Sequence, residues 1–183
     1  MTHISETKSD ALILNASYLP LDRLYDAYQA IAQQFPDYCQ LNEIGRTRKN
    51  HPIYLLTLTD FNAQTPVDHR MGFWLDAGTH AAEWAGITAA LYSVSRWIER
   101  IQNQDQSLIE WLHQHVIYCV PCLAPDGYEA LWQGSPYLRS TVREPRIDRE
   151  SVGLVTQDID GDGKVRWMRW KHPAGPLVED PDH

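Results

Sequence analysis

A histidine and a glutamate stand three positions apart just after an apolar run, and their types and spacing suit metal chemistry. His80 and Glu83 follow the run at 71–75, where a strand pattern gives way to a helical one. Residues i and i+3 on a helical turn point the same way, and imidazole and carboxylate groups both bind zinc. A catalytic zinc ion takes three protein ligands and leaves a fourth position for water. The spacing therefore suits two of the three ligands, and a surface ion pair or a helix cap is the alternative interpretation.

A second motif, Pro125-Asp126-Gly127, follows the next apolar run along the chain, at 116–120. These three residue types form a turn signature on their own. In open α/β sheets, however, ligands bind in the crevice beyond the carboxyl ends of the strands. Because each motif follows a strand-like run, the sequence favours a site at that edge of the sheet.

The order and spacing of these motifs resemble the catalytic domain of zinc carboxypeptidases over about residues 21–143. That family has a His-x-x-Glu zinc pair, often followed by Trp, and then an Asn-Pro-Asp-Gly-aromatic turn. The resemblance implies that His80 and Glu83 bind a zinc ion that activates water and polarises the scissile carbonyl. It also implies an arginine that stabilises the oxyanion. Arg139 lies at the matching distance, with Arg143 as the alternative and as a candidate substrate-binding residue.

The sequence departs from the family pattern at three places that bear on substrate. Many family members have Arg before the zinc-ligand Glu, where this chain has Ala82, and the Asn of the second motif is Ala124. The family's Asn-Arg pair, which grips the terminal carboxylate of the substrate, is not found. A peptide or an acyl-amino acid is the expected substrate class, and its side-chain preference stays open.

The resemblance places the third zinc ligand and the catalytic Glu beyond His183. We therefore expect residues 19–183 to be the N-terminal part of the catalytic domain, truncated at its C-terminus, with the missing C-terminal half as its natural partner. Activity of these 183 residues alone should then be absent or very weak. Four other histidines lie near a strand start or in the Pro-rich tail, and we expect their side chains to be solvated rather than bound to zinc: His113, His115, His172 and His183.

A third motif, Asp158-Ile159-Asp160-Gly161-Asp162-Gly163, matches the first half of a calcium loop. Such a loop presents oxygens at alternate positions, and here they would come from Asp158, Asp160 and Asp162. The bidentate Glu expected at the twelfth position is Arg169, so a tight turn is the other interpretation. Some prokaryotic members of the resembled family have a similar insertion, which we place at about residues 140–183.

Composition bounds the function classes. The chain has 183 residues, 43% of them hydrophobic, and a formal charge of −8, which argues against a nucleic-acid surface. No secretory signal is visible at residues 1–6, and no apolar run reaches the ~20 residues needed to cross a bilayer, so a cytoplasmic protein without a membrane partner is expected. The three cysteines imply no disulfide framework, and the Cys119/Cys122 pair favours buried strand positions.

Apolar periodicity predicts the elements that must position these residues. Residues 1–18 read as a loose arm, followed by an amphipathic helix at 21–35 and a hairpin of strands at 38–44 and 53–59. A strand buried on both faces at 71–75, helices at 83–102 and 107–113, and a strand at 116–120 follow. The predicted fold is an α/β domain with a mixed parallel and antiparallel sheet and helices on both faces, zinc carboxypeptidase-like and incomplete.

Two other functional hypotheses stay open. The chain could be a non-catalytic binding module on the same scaffold, binding calcium through Asp158–Asp162. It could also be a truncated product without an independent fold, because half a sheet exposes apolar strand edges that promote aggregation.

Overall fold

The computed structural model describes residues 17–135, 138–142 and 158–165. The chain divides into two compact units, Met1–Glu144 and Pro145–His183, and each is treated by itself. The first unit contains all the helices and strands given below, and of the second only the segment at 158–165 is described.

Among the described residues of the first unit, four α-helices form where apolar residues recur at helical spacing. The first, α1, follows Pro20 and buries Leu24, Tyr28 and Ile31 on one face. The Asp105 carboxylate caps the third helix by accepting the backbone N–H groups of Ser107 and Leu108. The helices are α1 (Leu21–Gln34), α2 (Trp84–Gln102), α3 (Gln106–Leu112) and α4 (Pro125–Trp132).

The strands form one four-stranded sheet with the order β1-β2-β4-β3. The first two strands are an antiparallel hairpin, as predicted, and β2 pairs antiparallel with β4. The last pair, β3 and β4, runs parallel, so their carboxyl ends lie at the same edge of the sheet. The strands are β1 (Cys39–Arg46), β2 (Pro52–Leu58), β3 (Met71–Asp76) and β4 (His115–Val120).

The core lies between helices and sheet. Tyr28 of α1 is fully buried and its hydroxyl is 3.7 Å from the Sγ atom of Cys119 on β4. Leu56 of β2 and Val94 of α2 belong to the same buried cluster. Because these side chains come from distant parts of the chain, their packing fixes how the helices sit on the sheet and therefore where the strand ends lie.

These observations confirm the predicted α/β fold class with a mixed sheet. The prediction that β3 is buried on both faces was wrong, since Met71 is 71% and Trp74 56% exposed. In the part of the chain that the structure describes, β3 pairs only with β4 and forms an edge of the sheet. A continuous apolar run cannot distinguish a central strand from an edge strand whose outer side is open. No helix among the described residues is long and apolar enough to cross a membrane.

A buried arginine fastens the edge of the sheet where β3 begins. The Arg70 guanidinium donates to the Thr59 hydroxyl and to the backbone carbonyls of Asp60, Thr65 and Leu112. Its side chain is almost wholly removed from solvent. These contacts tie the segment after β2 to the end of α3, at the edge opposite the carboxyl ends of β3 and β4.

Candidate metal centre

The two segments that leave β3 and β4 remain joined after the strands end. The N–H of Ala77 donates to the carbonyl of Val120 over 3.1 Å. The N–H groups of Leu123 and Ala124 then donate to the carbonyls of Ala77 and Gly78, each over 2.9 Å. The two motifs therefore lie at the same edge of the sheet, with the loop after β3 bonded to the loop after β4.

Gly78 lets the chain turn away from β3. Its φ angle is +63°, a left-handed conformation that favours glycine. A Cβ at this position would also lie 2.9 Å from Cδ1 of Ile87 and 3.0 Å from Sγ of Cys122. Both the backbone angle and the close packing require glycine here, two residues before His80.

His80 and Glu83 come together in a hydrogen-bonded turn. The N–H of Glu83 donates to the carbonyl of His80 over 3.0 Å, and Nδ1 of His80 lies 2.8 Å from Oε1 of Glu83. The side chains are 26% and 62% exposed, so the His80 side chain is partly buried and that of Glu83 is largely open to solvent. The predicted proximity of the two residues is thus present, although a turn before α2 produces it rather than the helix itself, since α2 begins at Trp84.

The chemistry of this pair suits zinc, but the pair is not a complete ligand set. An imidazole nitrogen and a carboxylate oxygen are both zinc ligands, and a catalytic site needs three protein ligands. Within the described residues, the only group of three His, Cys, Asp or Glu side chains close enough to share a metal ion is Asp158, Asp160 and Asp162. His80 and Glu83 therefore have no third such ligand within the described ranges.

An aromatic cluster anchors the residue that follows Glu83. The Trp84 ring packs edge-on against Tyr18 and Tyr128, with ring centroids 5.5 and 5.6 Å away, and lies tilted on Trp132 at 5.1 Å. The Tyr128 hydroxyl donates to the carbonyl of Leu19. These contacts hold the start of α2 against α4, so the backbone at Glu83 is fixed by packing on its C-terminal side.

Asp126 lies at the centre of a hydrogen-bond network that the sequence did not predict. Its side chain is 1% exposed, and its Oδ1 accepts the Thr47 hydroxyl at 2.5 Å and faces Nδ1 of His51 at 2.8 Å. The N–H of Lys49 donates to Oδ2 over 3.3 Å. Burial by itself would raise the pKa of Asp126, but the hydrogen bonds from Thr47, His51 and Lys49 outweigh it and hold that pKa below its ordinary value.

The second motif, interpreted as a turn from its residue types, is the first turn of α4. Pro125 occupies the first helical position, where its missing N–H costs nothing, and Asp126 follows in the first turn. Proline followed by an acidic residue is a known helix-start signal, so this part could have been found from the sequence. The burial of the carboxylate depends on the hairpin loop at 47–51, which is distant in sequence.

Gly127 lies between the turn of His80 and Glu83 and the segment that contains Arg139. A Cβ at Gly127 would lie 2.7 Å from the Cβ of Ala81 and would collide with the carbonyl of Ser140. Ala81 lies inside the turn from His80 to Glu83, and Ser140 is the neighbour of Arg139. Arg139 is exposed. Its role in catalysis stays a prediction, and Arg143 lies outside the described residues.

The acidic motif in the second unit forms a compact turn. Oxygens of Asp158, Asp160 and Asp162 lie within 4.8 Å of one another. Both carboxylate oxygens of Asp158 are engaged, since Oδ1 accepts the N–H of Gly161 at 2.8 Å and Oδ2 accepts that of Gly163 at 2.7 Å. These hydrogen bonds, first from Gly163 and then from Gly161, hold the pKa of Asp158 below its ordinary value. The calcium site stays a prediction.

Two other histidines lie away from the candidate centre. Nε2 of His113 is 3.1 Å from Oδ2 of Asp60, and the His115 ring stacks on Trp111. Both precede or begin β4, at the edge opposite the His80 turn. Whether they are solvated, as the sequence favoured, stays a prediction.

Comparison with known proteins supports the resemblance over most of the chain. The sequence profile of the zinc carboxypeptidase family matches residues 24–172. Carboxypeptidase A4 of Mus musculus is 30% identical over 112 residues, covering 61% of this chain and 26% of that protein. Carboxypeptidase O of Homo sapiens is 28% identical over 152 residues, covering 82% and 38%. An inactive metallocarboxypeptidase of Ajellomyces capsulatus is 27% identical over 145 residues, covering 78% and 23%, so similarity alone does not establish activity.

Solved structures share the fold. Thrombin-activatable fibrinolysis inhibitor superposes with a TM-score of 0.64 at 22% identity, covering 75% of this chain and 33% of that one. The bovine form of that protein, solved in complex with a tick carboxypeptidase inhibitor, gives a TM-score of 0.61 at 22% identity, covering 75% and 41%. The chain thus spans roughly a quarter to two fifths of the length of these relatives.

Proposed function

This chain belongs to the zinc carboxypeptidase family, and from that premise we propose that it serves zinc-dependent hydrolysis of a peptide or amide bond. His80 and Glu83 would contribute two ligands of the zinc ion. The observation that carries the proposal is the 2.8 Å separation of Nδ1 of His80 and Oε1 of Glu83 in a turn beyond the carboxyl end of β3.

The surroundings of the pair support this role. The turn stands beside the loop after β4, at the edge of the sheet where α/β proteins bind ligands. Gly78 on one side and the packed Trp84 on the other limit how far the turn can move. A pair of ligands on a fixed backbone loses little entropy when a metal binds, which favours a site over a chance surface pair.

Zinc, when bound, would lower the pKa of its water and polarise the carbonyl of the substrate. Arg139 would donate hydrogen bonds to the oxygen that becomes negative during attack, because a guanidinium stays charged and presents its donors in a fixed fork. Its exposure leaves the guanidinium accessible to a substrate.

The proposed substrate is a peptide or an acyl-amino acid. Ala82 stands where many members of the family have an arginine that contacts substrate, and its methyl group offers no charge to a carboxylate. We therefore propose that recognition of the substrate's end depends on residues other than the one beside Glu83.

Two ligands hold zinc loosely, so the 183 residues alone should turn over substrate slowly or not at all. The third ligand and the general base would come from outside the described residues.

The test is a hydrolysis assay with the purified 183-residue chain, with and without added zinc, on C-terminal peptide and acyl-amino-acid substrates. The expected result is a rate near the detection limit that rises on adding zinc and disappears in Glu83→Gln. Glu99→Gln, on the exposed side of α2, is the matched control and should behave as the unsubstituted chain. Robust turnover lost in Glu83→Gln would contradict the partial site, and zinc-independent turnover would contradict the proposed function.

A further inference from the structure

We propose that Asp126 is a positioning residue for the metal centre, which it holds through a contact path from the hairpin loop at 47–51 to the turn that bears His80 and Glu83. The inference rests on the proposed function, because it assigns a task to Asp126 in the same site. Asp126 itself would touch neither metal nor substrate.

The first step of the path is the set of hydrogen bonds between Asp126 and the hairpin loop. Three donors from one short loop converge on this carboxylate: the Thr47 hydroxyl, the Lys49 N–H and the His51 ring. The Thr47 hydroxyl also accepts the N–H of His51 over 3.0 Å, which closes the loop on itself. A buried carboxylate with this many donors is held in one orientation, since any rotation would leave a buried charge without partners.

The second step runs from Asp126 to the metal-binding turn. Gly127 follows Asp126 directly and lies so close to Ala81 that a Cβ would approach the methyl group of Ala81 to 2.7 Å. Ala81 is fully buried and lies between His80 and Glu83. Because Asp126 fixes the position of the start of α4, it also fixes Gly127, against which this turn packs.

The third step reaches the arginine segment. The carbonyl of Ser140 presses against the same Cα of Gly127, on which a side chain would collide with it. Thus one glycine separates the turn of the proposed ligands from the neighbour of Arg139. The start of α4 therefore packs against both the His80–Glu83 turn and the Arg139 segment. Asp126 joins this part of α4 to the sheet by its hydrogen bonds to the loop between β1 and β2.

Orientation of ligands by groups behind them governs metal affinity in proteins, and loss of such support typically weakens binding 10–100-fold. Asp126 acts one layer further back, through packing rather than a hydrogen bond to a ligand. We therefore expect an effect of about 10-fold, toward the lower end of that range.

The test measures zinc dissociation constants of the full 183-residue chain and its variants by competition with a chromogenic zinc chelator. Asp126→Asn is expected to weaken zinc binding about 10-fold and to shift the visible absorption bands of bound Co²⁺. His51→Gln and Thr47→Val remove one donor each and should give smaller weakening in the same direction, which keeps the test usable if Asp126→Asn fails to fold.

Two controls separate positioning from stability. Asp105→Asn makes the same chemical change on the cap of α3 and should leave zinc affinity unaltered. Arg70→Met should lower the melting temperature while the dissociation constant stays unchanged, because Arg70 lies at the opposite edge of the sheet.

The outcomes distinguish this inference from the proposed function. If the unsubstituted chain binds no zinc, the proposed function fails. If it binds zinc and the folded Asp126, His51 and Thr47 variants bind equally well with the same Co²⁺ spectrum, only the inference about Asp126 is overturned. Weakening as large in Arg70→Met would overturn it as well, since that result would assign the effect to global stability.

Discussion

Nδ1 of His80 and Oε1 of Glu83 lie 2.8 Å apart across a hydrogen-bonded turn whose central Ala81 is packed against Gly127. The two side chains are 26% and 62% exposed, while Ala81 between them is buried. Partly exposed side chains of ligand type on a packed turn are what a metal-binding pair requires. It also makes the account testable by variants that change the donors or the support beneath them.

Zinc should stabilise the folded chain through this pair. At a free zinc concentration of about 100 times its dissociation constant, binding adds about 2.7 kcal/mol to the free energy of unfolding. For a chain of this size that gain corresponds to a rise of roughly 5–10 °C in melting temperature. The measurement is a thermal melt with and without zinc. Because the pair is exposed, His80→Ala should leave the metal-free melting temperature almost unchanged and abolish the rise. A rise that survives in His80→Ala would place the ion elsewhere.

Gly78→Ala should destabilise the fold because two costs combine there. The left-handed φ angle costs an alanine about 1 kcal/mol, and the clash with Ile87 and Cys122 adds roughly 1–3 kcal/mol of overpacking. Gly134→Ala is the matched control, since its φ is +87° but a Cβ would meet nothing within 4 Å. Denaturant unfolding of both variants measures the difference. Equal losses at the two positions would show that packing at Gly78 contributes nothing.

Replacing Arg70 should cost stability at the far edge of the sheet. Arg70→Met removes donors from several buried carbonyls, and leaving such acceptors unpaired costs about 1–3 kcal/mol each before relaxation. A loss of about 3 kcal/mol in the free energy of unfolding is expected. Arg23→Met, on the exposed side of α1, should change it by less than about 0.5 kcal/mol. Indistinguishable melts for the two variants would contradict the assigned role of Arg70.

The Asp126 network should make stability depend on pH in a defined direction. The folded-state pKa of Asp126 is lowered, so the unfolded chain binds more protons as the pH falls below about 4. The stabilisation is therefore present above the ordinary aspartate pKa and is lost as the pH falls through the lower folded-state value. The difference in unfolding free energy between the unsubstituted chain and Asp126→Asn should have its full value well above the ordinary aspartate pKa of about 4 and shrink as the pH falls below it. A difference that grows on acidification would contradict the assignment.

The fold was largely readable from local patterns, whereas the support of the site was not. Leu24, Tyr28 and Ile31 predicted α1 through their spacing, and the paired apolar runs predicted the β1–β2 hairpin. These features depend on periodicity, which is a property of neighbouring residues. The predicted nearness of His80 to Glu83 was confirmed for a similar reason, since residues three positions apart in one turn cannot separate far.

What escaped prediction depends on contacts between distant residues. Asp126 meets Thr47 and His51 only because β2 pairs with β4, which brings the hairpin loop to the carboxyl edge of the sheet. Likewise, the exposure of Trp74 follows from the position of β3 at the edge of the sheet, which an apolar run does not encode. Strand order and the burial of single polar groups are set by tertiary packing. A local stretch of sequence therefore carries no signal for them unless the pairing of the strands is known.

The most direct measurement is the anomalous diffraction of zinc-soaked crystals of the chain, recorded on both sides of the zinc absorption edge. We expect one anomalous peak within about 2.0–2.2 Å of Nδ1 of His80 and of a carboxylate oxygen of Glu83, and no peak there in Glu83→Gln. A peak confined to His113 and Asp60, or to the Asp158 turn, with none at His80, would contradict it.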